Sequence, residues 1–412
     1  MSQLQIILDG DLVKAQVTPL EGMTVGFSAA RVHNRSSGYH ASTRITFNGK
    51  LLASDLLNFE KNAQRKTLGH DAHAMMPEDL RDAYPKLSVK RDLDEFCEAI
   101  WDTYNSQFKA EMVAGDPDSN TEWFCQPMIM QEATTILFGK RGAGKSVTAM
   151  ACAVSTQHGI SNLWNPIETA NVLYINIERG EKSMARRIAR VNTALGLSAY
   201  EPLLMVNARG KSLEHIYDAA RRSMRVNEVQ IVFFDSISRA GAGDLNENQP
   251  ANQVMDMLSA LAPTWLAVAH MTEQEGGKSK VFGSQMYENA ADVVMKLTGD
   301  SQGDQLGVGM EIVKGNDTAL AQNQYLKYQF NGTGLAAITP SSLSEFPDLA
   351  SKASLLEGIR SVLSNRPERV NDIAAELNET TKKVTATLRS SSSFIRVGDI
   401  WSLPGKQAEP SP

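Results

Sequence analysis

Over residues 1 to about 92, apolar positions alternate with polar ones, as in Gly22-Met23-Thr24-Val25-Gly26-Phe27-Ser28 and Ala41-Ser42-Thr43-Arg44-Ile45-Thr46-Phe47. A period of two sends successive side chains to opposite faces of a strand, so this region reads as β-rich, with Asn48-Gly49 as a turn. The period then lengthens. Phe96, Ile100, Tyr104 and Phe108 recur at helical spacing, which predicts a helix from Leu93 to about Val113. Gly115-Asp116-Pro117-Asp118-Ser119-Asn120 has linker composition. From about Trp123 to Thr333, short apolar runs alternate with helix-compatible stretches. Thr135–Phe138, Asn171–Ile177, Val229–Phe234, Trp265–Ala269 and Asp292–Leu297 predict buried strands of a mostly parallel sheet covered by helices. Pro340-Ser341-Ser342 and Pro347 mark residues 334–351 as a second linker. Amphipathic helices are expected at Ala353–Leu363, Val370–Leu377 and Thr380–Ser390, then a hairpin at Phe394–Leu403, with 405–412 as a disordered tail. The expected fold class is α/β: an N-terminal β-rich α+β domain (1–118), a core (119–333) and a C-terminal helical domain (352–404).

The chain's 412 residues suit two or three domains, and 42% hydrophobic content supports sizeable cores. A net charge of −6 gives no global basic field, so any nucleic-acid contact must come from local patches. Cys97, Cys125 and Cys152 show neither metal-ligand spacing nor a paired framework, which fits a reducing cytoplasm. Met1–Gly10 lacks the pattern of a signal peptide, and no run of about 20 apolar residues predicts a membrane span. A cytoplasmic location is therefore expected.

One chemical signature is complete. Gly139-Lys140-Arg141-Gly142-Ala143-Gly144-Lys145-Ser146 fills every position of G-x-x-x-x-G-K-[ST], between the strand Thr135–Phe138 and a helix-compatible stretch ending before Gly159. Glycines let main-chain N–H groups approach phosphate oxygens, and the helix N-terminus adds a positive dipole end. Lys145 is expected to reach the β- and γ-phosphates of ATP, and Ser146 to ligate Mg²⁺. Three further strands end in polar residues. Ile231-Val232-Phe233-Phe234 delivers Asp235, which suits the Mg²⁺ shell. Asn171–Ile177 delivers Glu178, 33 residues after Lys145, either to activate the attacking water or as an acid at a helix start. Leu266-Ala267-Val268-Ala269 delivers His270, either a γ-phosphate sensor or a structural histidine. The loop Met271–Ser284 carries Lys278 and Lys280 and reads either as a nucleic-acid loop or as a solvated connector.

Phosphate loop, strand-end Glu, strand-end Asp and strand-end His, in that order, resemble the RecA-like ATPase core, especially the RepA-type and DnaB-type hexameric helicases. The resemblance covers about residues 123–333. It extends to Asp235-Ser236-Ile237-Ser238-Arg239, to Gly243-Asp244-Leu245-Asn246-Glu247-Asn248 and to Phe282-Gly283-Ser284 before Ala290-Ala291-Asp292-Val293-Val294. It implies a homo-oligomer, such as a hexameric ring, with ATP between subunits and a cationic Lys-x-Arg finger supplied by the neighbour. Lys314 matches that finger, but Asn316 stands where arginine is usual, implying slow turnover, a finger from elsewhere such as Lys280, or regulated activity. Residues 352–404 resemble a winged helix. Its recognition helix would be Thr380–Ser390, which carries Lys382, Lys383 and Arg389 and no acid. Together these imply a Mg²⁺-dependent ATPase that binds single-stranded DNA through the core and duplex through the winged helix. The rivals are a filament-forming recombinase and an ATP-gated winged-helix regulator.

Overall fold

The computed structural model describes residues 4–9, 12–35, 37–106, 110–116, 120–241, 247–273, 279–281, 286–316, 322–391 and 393–404. The chain forms two compact units, residues 1–117 and 118–412.

In the first unit, β1 (Gln5–Asp9), β2 (Leu12–Leu20), β3 (Met23–Arg35), β4 (Gly38–Phe47) and β5 (Lys50–Asn58) form an antiparallel meander in sequence order. Alternation sorts the faces: Val13, Ala15 and Val17 are buried, whereas Lys14 and Gln16 are exposed. Helices α1 (Asn62–Ala74), α2 (Glu78–Ala83) and α3 (Lys86–Ser106) follow. The Phe96 ring of α3 meets Phe27 of β3 with centroids 5.7 Å apart. Two of these helices lie inside the stretch read as β-rich, and α3 begins earlier than the expected Leu93, directly after Pro85. Proline at that point suits a helix start, because its missing N–H has no intrahelical partner to lose.

The second unit starts with β6 (Trp123–Gln126) and β7 (Ile129–Met130). The α/β series then runs β8 (Thr134–Gly139), α4 (Lys145–His158), β9 (Asn165–Pro166), β10 (Val172–Asn176), α5 (Glu181–Ala194), β11 (Met205–Asn207), α6 (Leu213–Val226), β12 (Ile231–Asp235), α7 (Asn248–Leu261) and β13 (Thr264–Glu273). β14 (Ser279–Val281), α8 (Met286–Ala290), β15 (Val293–Gln302), β16 (Gln305–Gly315), β17 (Gln324–Asn331) and β18 (Gly334–Pro340) complete the sheet region. The sheet order is β11-β10-β12-β13-β8-β15-β16-β17-β18, with β14 on β13. From β11 to β15 the strands are parallel, and the last three pair antiparallel. The central strands are buried on both faces, so they read as unbroken apolar runs. Tyr174 and Phe233 pack toward α4, whereas Leu173, Val232 and Phe234 share the opposite core with α6 and α7.

Residues 334–351 are not a linker. Gly334–Pro340 is the last strand of the sheet, and Leu343, Phe346 and Leu349 beyond it are buried. Gly307 on β16 permits this, since a Cβ there would stand 2.3 Å from Phe346 Cγ. The chain continues through α9 (Pro347–Lys352), α10 (Leu355–Asn365), β19 (Glu368–Arg369), α11 (Val370–Glu376), α12 (Thr381–Ser390), β20 (Ile395–Val397) and β21 (Ile400–Ser402). These elements enclose their own core of Ile359, Leu363, Ile373, Val384, Leu388 and Trp401, with strand order β19-β21-β20. The tail 405–412 lies outside the described residues, and among those described no helix is long and apolar enough to cross a membrane.

Because Phe346 is 1% exposed, Phe346→Ala is expected to lower the stability of the second unit by about 3 kcal/mol in urea denaturation. A loss below about 0.5 kcal/mol, typical of surface sites, would show that this segment does not pack on the sheet.

Candidate active site

Parallel pairing brings four strand ends to one edge. Asn176 at the end of β10 lies opposite Asp235 of β12, and His270 of β13 lies opposite Gly139 of β8. Asp235 itself faces Val268, two residues short of His270, so it sits lower, beneath the phosphate loop. The carboxyl edge of a parallel sheet is where such folds bind ligands.

The loop's glycines have separate physical reasons. A Cβ on Gly139 would lie 2.3 Å from the Leu297 carbonyl oxygen of β15. Gly142 and Gly144 have φ of +81° and +86°, a region that side chains disfavour, and Gly144 opens α4. Lys140, Arg141 and Ala143 fill the intervening positions. The Lys145 side chain folds back over the loop, and its Nζ donates to the carbonyls of Gly139 and Lys140, both at 2.7 Å. Burial lowers its pKa to about 8, against the attraction of Asp235 and Glu178.

Asp235 is 3% exposed. Tyr174 donates its hydroxyl to Asp235 Oδ2 at 3.0 Å, and Arg187 Nη1 stands 4.0 Å from the same oxygen. Burial and the nearby Glu178 charge raise the carboxyl pKa, while Ser146, Arg187 and Tyr174 oppose the shift. Asp235 Oδ1 is buried with no hydrogen-bond partner among the described residues. An orphaned carboxylate oxygen beside the Ser146 hydroxyl fits Mg²⁺, which favours oxygen ligands and keeps several from phosphate and water. Among the described residues no three His, Cys, Asp or Glu side chains cluster as a metal cage.

Glu178 lies on the turn after β10. Ser236 donates its hydroxyl to Glu178 Oε1, and His270 Nε2 lies 3.4 Å from the same oxygen. The His270 contact is the largest cause holding the Glu178 pKa down to about 2, with Ser236 assisting against burial. The turn is built by Asn176, which is fully buried. Its Oδ1 accepts from the N–H groups of Glu178 (3.3 Å) and Arg179 (3.0 Å), and its Nδ2 donates to Arg179 O and Asn207 Oδ1. Glu178 thus precedes α5 without capping it by a side-chain bond, since residue 180 is the N-cap.

Lys145, Ser146, Asp235, Glu178 and His270 therefore gather at one site. Lys314 is elsewhere. It lies opposite Val294, toward the other end of the sheet, where its Nζ donates to the carbonyls of Ala291 (2.6 Å), Glu288 (3.0 Å) and Asn289 (3.1 Å). This chain's Lys314 therefore does not reach its own phosphate loop. Asn316 is also engaged, donating to Asp292 Oδ1 at 3.1 Å. Lys280 lies on β14 opposite Thr272, whereas Lys278, the 243–246 stretch and Phe282-Gly283-Ser284 fall outside the described residues. Lys382, Lys383 and Arg389 are exposed on α12, far in sequence from the phosphate loop. Lys383 is paired with Glu379 at 3.0 Å, one residue ahead of the stretch that had appeared free of acids.

Sequence reading missed Tyr174, Asn176, Arg187 and Ser236. Tyr174 and Asn176 were visible as polar atoms inside an otherwise apolar strand. Arg187 carries no signal in a helix rich in arginine, and its Nη1 is buried without a hydrogen-bond partner among the described residues.

A family model described as an AAA domain matches residues 104–274, which span the phosphate loop, Glu178, Asp235 and His270. No curated protein matches the chain. That segment is similar to AAA-type P-loop ATPase domains, a likeness that supports nucleotide binding at the phosphate loop. The sheet continues beyond the match, through β15 to β18.

The lowered Lys145 pKa gives a signed prediction. At pH 8.5 the free lysine is mostly neutral, and anionic phosphates beside it favour its charged form. ATP binding at pH 8.5 is expected to take up on the order of half a proton, measurable by calorimetry in buffers of different ionisation heat. Binding without proton uptake would show that Lys145 is already charged in the free protein.

Proposed function

We propose that this chain is a Mg²⁺-dependent, DNA-associated ATPase with a RecA-like core, a RepA-type replication helicase or helicase-like factor that couples ATP hydrolysis to DNA movement. The observation that carries this reading is the Ser236–Glu178–His270 cluster, in which the Glu178 carboxylate is joined to the ends of β12 and β13, the second of which leads into the Lys278- and Lys280-bearing stretch. Lys145 turns from the loop carbonyls to the phosphates, whose charge also draws the main-chain N–H groups of residues 139–146. Ser146 and Asp235 would hold Mg²⁺, which would neutralise phosphate charge. Glu178, whose pKa is held down to about 2 by His270 and Ser236, is ionised at neutral pH. Its work is to orient the attacking water, which suffices where the transition state is loose and positioning dominates. Loss of the γ-phosphate changes what Glu178 and His270 face, and β13 carries that change into the loop holding Lys278 and Lys280, the candidate single-stranded DNA contacts.

Three helices with strand order β19-β21-β20 support the winged-helix reading of residues 352–404, with α12 presenting Lys382, Lys383 and Arg389 to duplex DNA. A homo-oligomer in the cytoplasm completes this reading. The second reading, an ATP-gated regulator of slow turnover, is favoured by Lys314 and Asn316. Both are engaged within their own chain rather than extended as a finger for a neighbour.

The test is Mg²⁺-ATP hydrolysis with and without single-stranded DNA, with Lys145→Ala as the blank. Stimulation of 10-fold or more, about 1.4 kcal/mol of barrier, is expected for a DNA-coupled motor. An ATPase indifferent to DNA would rule out the motor and leave the regulator.

A further inference from the structure

A cavity of about 470 Å³ opens beside the phosphate loop. Lys140–Ala143 line one end, and Tyr325 of β17 and Glu357 of α10 line the other. A second cavity of about 340 Å³ adjoins it, sharing Asn323, Tyr325 and Glu357. The groove therefore runs from the phosphate site to the C-terminal helical module.

Two features at its far end are built rather than incidental. The Tyr325 ring lies on bare backbone: a Cβ on Gly309 would be 3.3 Å from Tyr325 Cε1, so glycine lets the ring settle against β16. Glu357 is locked by the capping box of α10, where its Oε2 accepts from Ser354 N at 2.8 Å and from Ser354 Oγ at 3.0 Å. Its other oxygen, Oε1, is buried with no hydrogen-bond partner among the described residues. Gln324 Oε1 and Arg360 Nε around the adjoining cavity are in the same condition. A buried carboxylate oxygen without a donor is costly, and a ligand N–H placed there removes that cost.

We infer that the C-terminal module completes a nucleoside subsite, with Tyr325 as the platform for the base and Glu357 Oε1 accepting the exocyclic amine of adenine. This rests on the nucleotide reading of the phosphate loop. A nucleotide held there by its phosphates extends along the groove, and an aromatic face beside a fixed acceptor suits a planar base that bears an amino group. Nucleotide occupancy is thereby felt by α10 directly, through a contact separate from the hydrolysis centre.

The experiment measures binding of ATP, purine riboside 5′-triphosphate (adenine without its amine) and inorganic tripolyphosphate to the full chain. The comparison covers wild type, Glu357→Ala and Ser354→Ala. Wild type is expected to bind ATP about 10-fold or more tightly than the purine analogue, as a hydrogen bond to a charged group provides. Glu357→Ala should erase that difference and leave tripolyphosphate binding unchanged. Ser354→Ala removes the cap but keeps the acceptor, so it should retain discrimination and separate helix stability from recognition. ATP, but not tripolyphosphate, should slow amide hydrogen exchange in α10. If tripolyphosphate and ATP bind but discrimination is absent, or survives in Glu357→Ala, the subsite is overturned while the phosphate site stands. If none of the three binds, the underlying nucleotide reading fails with it.

Discussion

The buried charge of Asp235 is the constraint around which the rest of the site is arranged. Removing a carboxylate from water costs several kcal/mol unless partners replace the solvent. Tyr174 donates to one oxygen, Arg187 stands nearby, and Ser146 lies at the start of α4. The remaining oxygen has no protein donor among the described residues, and its raised pKa shows that the supplied partners do not fully offset burial. A divalent cation with bound phosphates would finish that compensation. Binding of Mg²⁺ with nucleotide would therefore stabilise the folded site.

Glu178, close enough for its charge to act on Asp235, shows the opposite electrostatics. Its pKa is depressed because Ser236 and His270 hold the ionised form. Two carboxylates in one site are thus shifted in opposite directions, Asp235 up and Glu178 down. The sheet makes this possible. Asp235 is held low on β12, while Glu178 is lifted past the end of β10 by the turn that Asn176 fastens.

Much of this was legible in the chain. The phosphate loop has a pattern set by close backbone approach, so glycines appear where Leu297 and positive φ demand them. Strands buried on both faces read as apolar runs, and their terminal polar residues stood out. What was not legible depended on partners distant in sequence. Lys314 looked like a free cation until β16 placed it over the end of α8, where main-chain carbonyls need a donor. Residues 334–351 looked like a linker because proline and serine punctuate them, yet one missing Cβ at Gly307 lets Phe346 dock. The helices α1 and α2 escaped notice because α1 carries little amphipathic patterning. Arg187 and Ser236 gain meaning only from their neighbours across the sheet.

The central claim is that Glu178 orients water for attack while Lys145, Ser146 and Asp235 bind nucleotide and metal. Single-turnover hydrolysis of Mg²⁺-ATP by Glu178→Ala, alongside its ATP affinity, tests this most directly. The account predicts that the chemical step slows by about 10²-fold or more while affinity changes only a few-fold. Hydrolysis at the wild-type rate, or affinity lost in step with rate, would contradict it.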